Sequence, residues 1–327
     1  MTAAHCDTAW GRDVTTYLIT GGAGFIGSHL ADALLAQGHH VRVVDDFSTG
    51  RLENLDPRCE VLRGDAGNLA LLRLAMAGTA GCFHLAAIAS VARANEDWAG
   101  THAANQSATV AVLDTARALG GLPVVYASSA AVYGTQEGVA HEEAAPFPRT
   151  AYGVDKLGSE LHARVGFLVH GVPTIGFRFF NVYGPRQDPA SPYSGVISIF
   201  ADAIRQGCPI TLHGDGSQTR DFVFVSDVVA HLVAGMAYLG EAQGAHVLNV
   251  CTGQETQVHQ LASLIGEIGG HFPVTLCGPA RAGDIRRSVG SPERACAVLG
   301  MRAVTGLRAG LEQTLVALAP GRALVRA

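Results

Sequence analysis

The chain has 327 residues, of which 48% are hydrophobic, 16% are charged and 6% are aromatic. This composition is typical of a compact globular protein and excludes a disordered or fibrous chain. The formal net charge of −5 argues against a nucleic-acid-binding protein and against binding to an anionic membrane. The sequence has no uninterrupted apolar run of about 18 residues, which predicts that it does not span a membrane.

Residues 1–14 lack an apolar stretch, so we expect a short N-terminal tail rather than a signal peptide. The seven cysteines are scattered and form no C-x-x-C pair, which indicates reduced thiols rather than a disulfide framework or a zinc site. The 14 histidines show no metal-type spacing, so the sequence predicts no metal. Together these features favour a cytoplasmic enzyme.

Short apolar strand candidates alternate with helical patterns through residues 15–181. The strands are predicted at 16–20, 41–46, 60–65, 81–87, 123–129 and 174–181. The helices are predicted at 28–37, 68–77, 100–119 and 151–170. This alternation predicts an α/β fold with a Rossmann-type, doubly wound parallel sheet.

Beyond residue 181 proline, glycine and polar loops become more frequent, and the helices and strands become shorter. We therefore expect residues 182–327 to form most of a smaller C-terminal α/β lobe that binds the substrate. Residues 228–250 are expected to return to the first domain, beginning with a helix at 228–240.

The strongest local signal is the GGAGFIG motif at 21–27, which follows a predicted strand and precedes a predicted helix. Glycines there allow a tight turn and close approach of a pyrophosphate, while the helix N-terminus offers free N–H groups. A glycine-rich turn alone is also compatible with a structural βαβ unit that binds no ligand.

An acidic residue at the end of the second strand supports a cofactor site. Asp45 lies 18 residues past Gly27, where a carboxylate can accept hydrogen bonds from ribose hydroxyls and would repel the 2′-phosphate of NADP. The sequence therefore favours NAD over NADP. Asp65, after the third strand, is either an adenine contact or a plain turn residue.

Tyr152 and Lys156 form a Y-x-x-x-K pair on a predicted helix, one turn apart. A nearby ammonium would favour the phenolate of a tyrosine, which otherwise titrates near 10 and is a poor base. Such a pair also occurs on many helices as a surface contact. Ser128 and Ser129 end a predicted strand, where an open α/β sheet gathers its ligands, so a serine hydroxyl there could relay a proton to the tyrosine.

Across nearly the whole chain the sequence resembles extended short-chain dehydrogenases/reductases of the nucleotide-sugar epimerase/dehydratase group, of UDP-glucose 4-epimerase type. The matching stretches include TGGAGFIGSHL (20–30), SSAAVYG (128–134), YGVDK (152–156), FRFFNVYGPRQDP (177–189) and RAGDIRRS (281–288). The resemblance implies a Rossmann-type domain that binds NAD, a C-terminal lobe that binds a UDP-sugar, and a homodimer paired through two long helices per subunit.

The resemblance also implies roles for individual residues. The catalytic set would be Ser129, Tyr152 and Lys156. Cofactor contacts would come from Gly21, Gly24, Phe25, Ile26, Gly27, Asp45, Ser48, Asp65, Leu85, Ala86, Asn105, Tyr152 and Lys156. Substrate contacts would come from Ser129, Asn181, Arg220, Arg281 and Ser288. The alternative for the two arginines is a surface ion pair with Asp221 or Asp284.

The two residues before the VYG sequence (132–134) indicate which reaction of this family the chain catalyses. Sugar 4,6-dehydratases carry Asp-Glu there, whereas this chain has Ala130 and Ala131, so it lacks the acid and base that elimination of water needs. The expected reaction is inversion of a UDP-hexose at C4 by transient oxidation to a 4-keto sugar. The open alternatives are epimerisation or decarboxylation of UDP-glucuronate and a non-catalytic NAD-binding sensor or scaffold.

Ser288 is expected at the C2 side of the sugar, where related epimerases carry either a bulky aromatic or a small residue. A serine would leave room for an N-acetyl group, which predicts activity on UDP-GlcNAc as well as UDP-glucose. The alternative is a turn or strand residue without a substrate contact.

Overall fold

The computed structural model describes residues 14–188, 195–270, 272, 274–279 and 285–318. The strands in these ranges are β1 (Thr16–Thr20), β2 (His40–Asp45), β3 (Glu60–Arg63), β4 (Gly81–His84), β5 (Val124–Ser129), β6 (Thr174–Phe179), β7 (Asn181–Tyr183), β8 (Ile210–His213), β9 (Thr219–Arg220), β10 (Phe222–Phe224), β11 (Ala245–Val250), β12 (Thr256–Gln257), β13 (Thr275–Gly278) and β14 (Arg287–Ser288).

The α-helices in the same ranges are α1 (Phe25–Ala36), α2 (Leu69–Met76), α3 (Val91–Glu96), α4 (Trp98–His102), α5 (Ala108–Ala118), α6 (Ala151–His170), α7 (Val196–Gln206), α8 (Val225–Glu241), α9 (Val258–Gly269), α10 (Glu293–Leu299) and α11 (Leu307–Leu318).

Seven parallel strands form the central sheet, in the order β11-β6-β5-β4-β1-β2-β3. The chain runs outward from β1 to β3 and then returns to the other side of β1 for β4. The crevice beyond the carboxyl ends of β1 and β4 is therefore the switch point at which doubly wound sheets bind their ligands. This sheet and its flanking helices confirm the predicted α/β Rossmann-type fold.

Successive residues of the central strands pack into different cores. Leu18 of β1 belongs to one buried cluster and Ile19 to the other. Because strand side chains alternate between faces and helices cover both faces, these strands read as nearly continuous apolar runs in the sequence.

The remaining strands form three smaller sheets in the C-terminal half: β10 with β7, β9 between β12 and β14, and β13 with β8. Two segments from this half lie with the central sheet instead, since β11 pairs with β6 and α8 packs against α1. In the ranges the structure describes, no helix combines the length and the apolar character that crossing a bilayer requires.

The helix predicted near 100–119 is present over residues 98–118, but its regular hydrogen-bonding pattern is interrupted. The helical segment begins at Trp98, where the Asp97 side chain accepts a hydrogen bond from the Gly100 N–H. A π-helical turn at Ala103–Ser107 then separates α4 from α5. Single π turns occur often at functional sites, and this one contains the predicted site residue Asn105.

A buried ion pair fastens α6 to the sheet directly behind the serine pair. Arg178 of β6 donates two hydrogen bonds to the Glu160 carboxylate, at 2.9 and 2.7 Å, and both side chains are 5% exposed. The Ser128 hydroxyl donates a third hydrogen bond to Glu160, at 2.5 Å. The Ser128 hydroxyl therefore makes a structural contact, whereas the hydroxyl of its neighbour Ser129 accepts a hydrogen bond from the Ala131 N–H at 3.1 Å.

We predict that Glu160→Gln lowers the free energy of unfolding by about 3 kcal/mol, because it leaves the Arg178 charge buried without a counter-ion. Urea unfolding followed by circular dichroism measures the change. Glu267→Gln, which breaks the exposed pair with Arg308, is the matched control and should cost less than about 1 kcal/mol. Equal losses in the two variants would contradict this account.

Candidate active site

The glycine motif leaves no room for side chains at three of its positions, and at two of them the clash would be with backbone atoms. Gly21 has φ +70°, and a Cβ there would lie 2.7 Å from the backbone nitrogen of Ala86. A Cβ on Gly27 would lie 2.3 Å from the carbonyl oxygen of Gly21. Only glycine permits the turn and the close packing of α1 on β1, as the dinucleotide-binding fingerprint requires.

The N-terminus of α1 has no side-chain cap. Gly24 is the N-cap residue, no side chain of the described residues accepts a hydrogen bond there, and the first turn contains no acidic residue. The N–H groups at Phe25 and Ile26 and the positive end of the helix dipole are thus available for an anion. The glycine motif (21–27) and the N-terminus of α1 together form a pocket that we call the glycine cradle. The glycine cradle fits the pyrophosphate of the predicted NAD.

Asp45 ends β2 beside this cradle and is 7% exposed. Its two carboxylate oxygens accept hydrogen bonds from the N–H groups of Ala23, at 2.9 Å, and Phe47, at 2.8 Å. Burial raises the pKa of Asp45, and these two N–H groups oppose the rise. Each oxygen retains a lone pair, so a ribose hydroxyl could still donate to the carboxylate.

Two predicted adenosine contacts lie on turns at the same edge of the sheet. The Ser48 N–H donates to Asp46, at 2.8 Å, and the Asp65 carboxylate accepts from the Gly67 N–H, at 2.8 Å. Both Ser48 and Asp65 are exposed. Their side chains are accessible to a ligand, and the turn interpretation of Asp65 is compatible with this geometry.

Leu85 and Ala86 directly follow β4 and line the crevice beside Gly21. The buried Asn105 side chain holds the end of this segment: its Oδ1 accepts from the Ile88 N–H at 2.8 Å, and its Nδ2 donates to the Ile88 carbonyl at 3.3 Å. The amide of Asn105 therefore shapes the 85–88 segment through the backbone.

A buried histidine that the sequence analysis did not single out connects these parts. His84 Nδ1 lies 2.7 Å from the Thr20 hydroxyl, and Nε2 lies 3.1 Å from the Thr109 hydroxyl, which donates to the Asn105 carbonyl at 2.7 Å. Burial and the charge of Lys156 lower the pKa of His84 to about 3, so the ring is neutral. His84 ends β4 and begins the stretch HLAA (84–87), so a polar residue at the end of an apolar strand was the signal that the sequence offered.

The directions of these hydrogen bonds fix one tautomer. Because Thr109 uses its proton on Asn105, it accepts from Nε2–H of His84, and Nδ1 then accepts from Thr20. Thr20 in turn accepts from the Ala86 N–H at 3.3 Å. The chain of bonds runs from the glycine motif to the π turn and anchors both ends of the 85–88 segment.

The predicted catalytic residues come together at the carboxyl end of β5. Ser129 is the last residue of β5, and Tyr152 and Lys156 lie on the first turns of α6. The Lys156 ammonium donates to the Ala127 carbonyl at 2.8 Å and lies 5.8 Å from the centre of the Tyr152 ring. Thr150 caps α6 by accepting from the Gly153 N–H at 3.1 Å, which sets the start of the helix.

The pKa values of this set differ from the simple expectation. Burial raises the pKa of Tyr152, while a side-chain hydrogen bond with Ser129 opposes the rise. Burial lowers the pKa of Lys156 to about 8, against a smaller raising effect of Asp155. The protein alone therefore favours a neutral phenol, and the hydrogen bond with Ser129 is the contact that assists its ionisation.

The predicted substrate residues lie where the small sheets approach this site. Asn181 begins β7, and Arg220 of β9 is paired in register with Ser288 of β14. Nη1 of Arg220 donates to the carbonyls of Thr219 and Ile285, at 2.8 and 2.7 Å, which orients its guanidinium. A small cavity joins Ser288 to Ala130, the residue after Ser129.

Asp221, proposed as an ion-pair partner in the alternative interpretation, is a structural residue. It is fully buried and accepts hydrogen bonds from the N–H groups of Thr252 and Gly253 and from the Thr252 hydroxyl, at 2.7 to 2.9 Å. Arg281 and Asp284 lie outside the described residues.

Residues 17–251 match the model of the NAD dependent epimerase/dehydratase family. The chain belongs to this family. It is 38% identical to the UDP-glucose 4-epimerase of Mycolicibacterium smegmatis over 307 residues, which cover 91% of this chain and 96% of the relative.

Two solved structures share the fold over nearly their whole length. The UDP-glucose 4-epimerase of Thermotoga maritima with UDP-glucose has a TM-score of 0.89 and 32% identity, covering 93% of this chain and 98% of that chain. The UDP-glucose 4-epimerase of Thermus thermophilus in complex with NAD has a TM-score of 0.86 and 32% identity, covering 94% and 100%. The resemblance identified from the sequence motifs is confirmed.

We predict that Gly27→Ala weakens NAD binding at least roughly tenfold, because the new methyl group would displace the Gly21 carbonyl and the glycine turn. Titration calorimetry with NAD measures the affinity. Gly240→Ala in α8 is the matched control, since a Cβ there meets nothing within 4 Å, and it should bind NAD like the wild type. Wild-type affinity in Gly27→Ala would exclude the cradle as the pyrophosphate site.

Proposed function

We propose that this protein is an NAD-dependent UDP-hexose 4-epimerase that interconverts UDP-glucose and UDP-galactose. The observation that carries the proposal is the meeting of Ser129, Tyr152 and Lys156 at the carboxyl end of β5, beside a glycine cradle that fits a dinucleotide. Bound NAD would supply the hydride acceptor for C4 of the sugar and return the hydride.

Each side chain of the site would have a separate role in the reaction. Tyr152 takes the proton of the C4 hydroxyl during oxidation and returns a proton during reduction, with Ser129 holding the same oxygen. The Lys156 ammonium lies 5.8 Å from the centre of the Tyr152 ring, where the Ala127 carbonyl keeps it in place, and it would hold the nicotinamide ribose of bound NAD. Arg220 and Arg281 would hold the diphosphate, for which a planar guanidinium is suited, while the 4-keto sugar turns its other face to the cofactor.

Ala130 and Ala131 support epimerisation over dehydration. They form the 3-10 turn that follows β5, next to Ser129. Methyl groups at these positions cannot protonate a leaving hydroxyl or abstract a proton at C5, so a 4-keto sugar formed here would be reduced again rather than dehydrated.

We expect the purified protein with NAD to convert UDP-glucose to UDP-galactose, as identified by NMR of the products. Tyr152→Phe and Ser129→Ala should each lower kcat at least about 100-fold, because both remove a group that handles the C4 proton. Tyr238→Phe, whose ring packs against His246, is the matched control and should keep wild-type activity. Bound NAD with no turnover of any UDP-sugar would instead support the sensor or scaffold alternative.

Ser288 would determine whether the site accepts a UDP-sugar that carries an acetamido group at C2 of the hexose. It lines a small cavity with Ala130 and Tyr133, and its short side chain takes up little of the space beside them. We therefore propose that UDP-GlcNAc is also a substrate.

The cytoplasmic location expected from the sequence stays a prediction.

Ser288→Tyr should lower kcat/KM for UDP-GlcNAc at least roughly tenfold, because a phenol would fill the space that the acetamido group needs. The kcat/KM for UDP-glucose should change less than about threefold and serves as the internal control. An equal loss for both sugars, or no loss for either, would contradict a role of Ser288 in sugar selection.

UDP-glucuronate is the second candidate substrate, and one observation disfavours it. Arg287 lines the same cavity as Ser288, but its guanidinium is bound to the Glu255 carboxylate at 2.8 to 3.0 Å. A guanidinium already neutralised in this way is a weak partner for a sugar carboxylate. Incubation with UDP-glucuronate and NMR of the products distinguishes epimerisation, decarboxylation and no reaction.

We also infer that the chain forms a homodimer through α5 and α6. Val154, Leu161, Val165 and Leu168 lie along one exposed face of α6, where each is 49 to 67% exposed, and Val110 of the adjacent α5 is 38% exposed. A continuous apolar face of this kind is rare on a monomer. A second copy related by a two-fold axis would cover it with the same residues.

The double variant Leu161→Glu/Leu168→Glu should be monomeric, because four like charges would meet at the paired helices. Sedimentation equilibrium measures the mass. Leu74→Glu on α2, a residue that is 63% exposed and lies outside this face, is the control and should leave the mass unchanged. A wild type that sediments as a monomer would exclude the dimer.

A further inference from the structure

The segment 185–188, which we call the strap, follows β7 and makes three polar contacts with the nucleotide-binding side of the molecule. His29 Nε2 lies 2.9 Å from the Pro185 carbonyl oxygen. Arg186 Nη2 donates to the Asp32 carboxylate at 2.6 Å. The Arg51 guanidinium forms an ion pair with Asp188.

These contacts reach two different walls of the predicted cofactor crevice. His29 and Asp32 lie on α1, which starts at the glycine motif. Arg51 belongs to the loop after β2, and its backbone N–H donates to the Ala23 carbonyl within the glycine motif at 3.0 Å. The strap therefore bridges α1 and the β2 loop, between which the pyrophosphate and the adenosine ribose would lie.

Arg186 occupies an unfavourable position in the strap. Its φ is +67°, a left-handed conformation that non-glycine residues rarely adopt. Its side chain is 9% exposed, and two of its nitrogens, Nε and Nη1, have no hydrogen-bond partner among the described residues. Backbone strain and unsatisfied buried donors persist when the surrounding structure holds them, and they mark segments whose conformation matters for function.

We propose that Arg186 is a positioning residue that keeps the strap closed across the two walls and thereby slows the release of NAD. The inference rests on the proposed function. An enzyme that oxidises a carbon and then reduces the same carbon must keep its cofactor through both steps. Arg186 acts through Asp32 and the strap and need not touch the reacting atoms.

The rate of NAD release tests the proposal without any assay of epimerisation. Full-length protein is loaded with isotope-labelled NAD, mixed with excess unlabelled NAD, and sampled by rapid gel filtration. Arg186→Gln and Asp32→Asn should each release the label roughly tenfold faster than the wild type. The double variant should release it no faster than the faster single variant, because both changes break one contact.

Arg308→Gln is the matched control, since it breaks an exposed arginine pair with Glu267 between α11 and α9. It should release NAD at the wild-type rate. Wild-type release in both strap variants would overturn the proposal. If Arg186→Gln does not fold, Asp32→Asn carries the test, because it changes the half-exposed partner of the pair.

A second readout separates positioning from general loss of structure. This readout is the ratio of completed epimerisations to 4-keto sugar molecules released from aborted cycles. Because only folded protein contributes to either number, the ratio does not depend on how much of the sample is folded. This ratio should fall in Arg186→Gln and recover in part in Arg186→Lys. An unchanged ratio in Arg186→Gln would contradict a role in cofactor retention. If the strap variants release NAD faster than the wild type but the wild type converts no UDP-sugar, the proposed role of the strap would be supported and the proposed epimerase function would be refuted.

Discussion

The buried ammonium of Lys156 is the constraint around which the candidate site is arranged. It is 5% exposed, and its pKa of about 8 lies below the 10.5 of an exposed lysine. The unfolded chain therefore binds one more proton between these pH values. Burying the charge costs about 3 kcal/mol at neutral pH, and the cost falls as the pH rises from about 8 to 10.5. This cost is what remains after the neighbouring Asp155 has raised the pKa, and the ammonium donates a hydrogen bond to the Ala127 carbonyl.

Neighbouring groups are compatible with this charge only in particular states. His84 must remain neutral, and its hydrogen bonds to Thr20 and Thr109 hold it in one tautomer. The same bonds anchor the 85–88 segment beside Gly21. One buried network thus responds to the charge of Lys156 and also shapes the dinucleotide crevice, so that positions far apart in the sequence depend on one another.

Local patterns in the sequence were sufficient to predict most of the central sheet, the glycine turn and the placement of Tyr152 and Lys156 one turn apart on a helix, whereas the catalytic roles were assigned by resemblance and stay a prediction. Strand periodicity and the i, i+4 spacing of Tyr152 and Lys156 depend only on neighbouring residues. The π turn, the part played by His84 and the Arg186–Asp32 pair could not be predicted in this way. That pair joins residues 154 positions apart, and its geometry follows from how the two halves of the chain pack. Arg281, identified only by resemblance, lies outside the described residues.

The raised pKa of Tyr152 links the proton chemistry to the presence of the cofactor. In the protein alone, burial outweighs the hydrogen bond with Ser129 and keeps the phenol neutral. A positively charged nicotinamide beside the phenol would favour its ionisation, and the effect would be strong because the site is shielded from water. Tyr152 would therefore become a competent base only while the oxidised cofactor is bound. Under the proposed mechanism, this dependence would prevent proton abstraction when no hydride acceptor is bound, and it would make retention of the cofactor part of the catalytic arrangement.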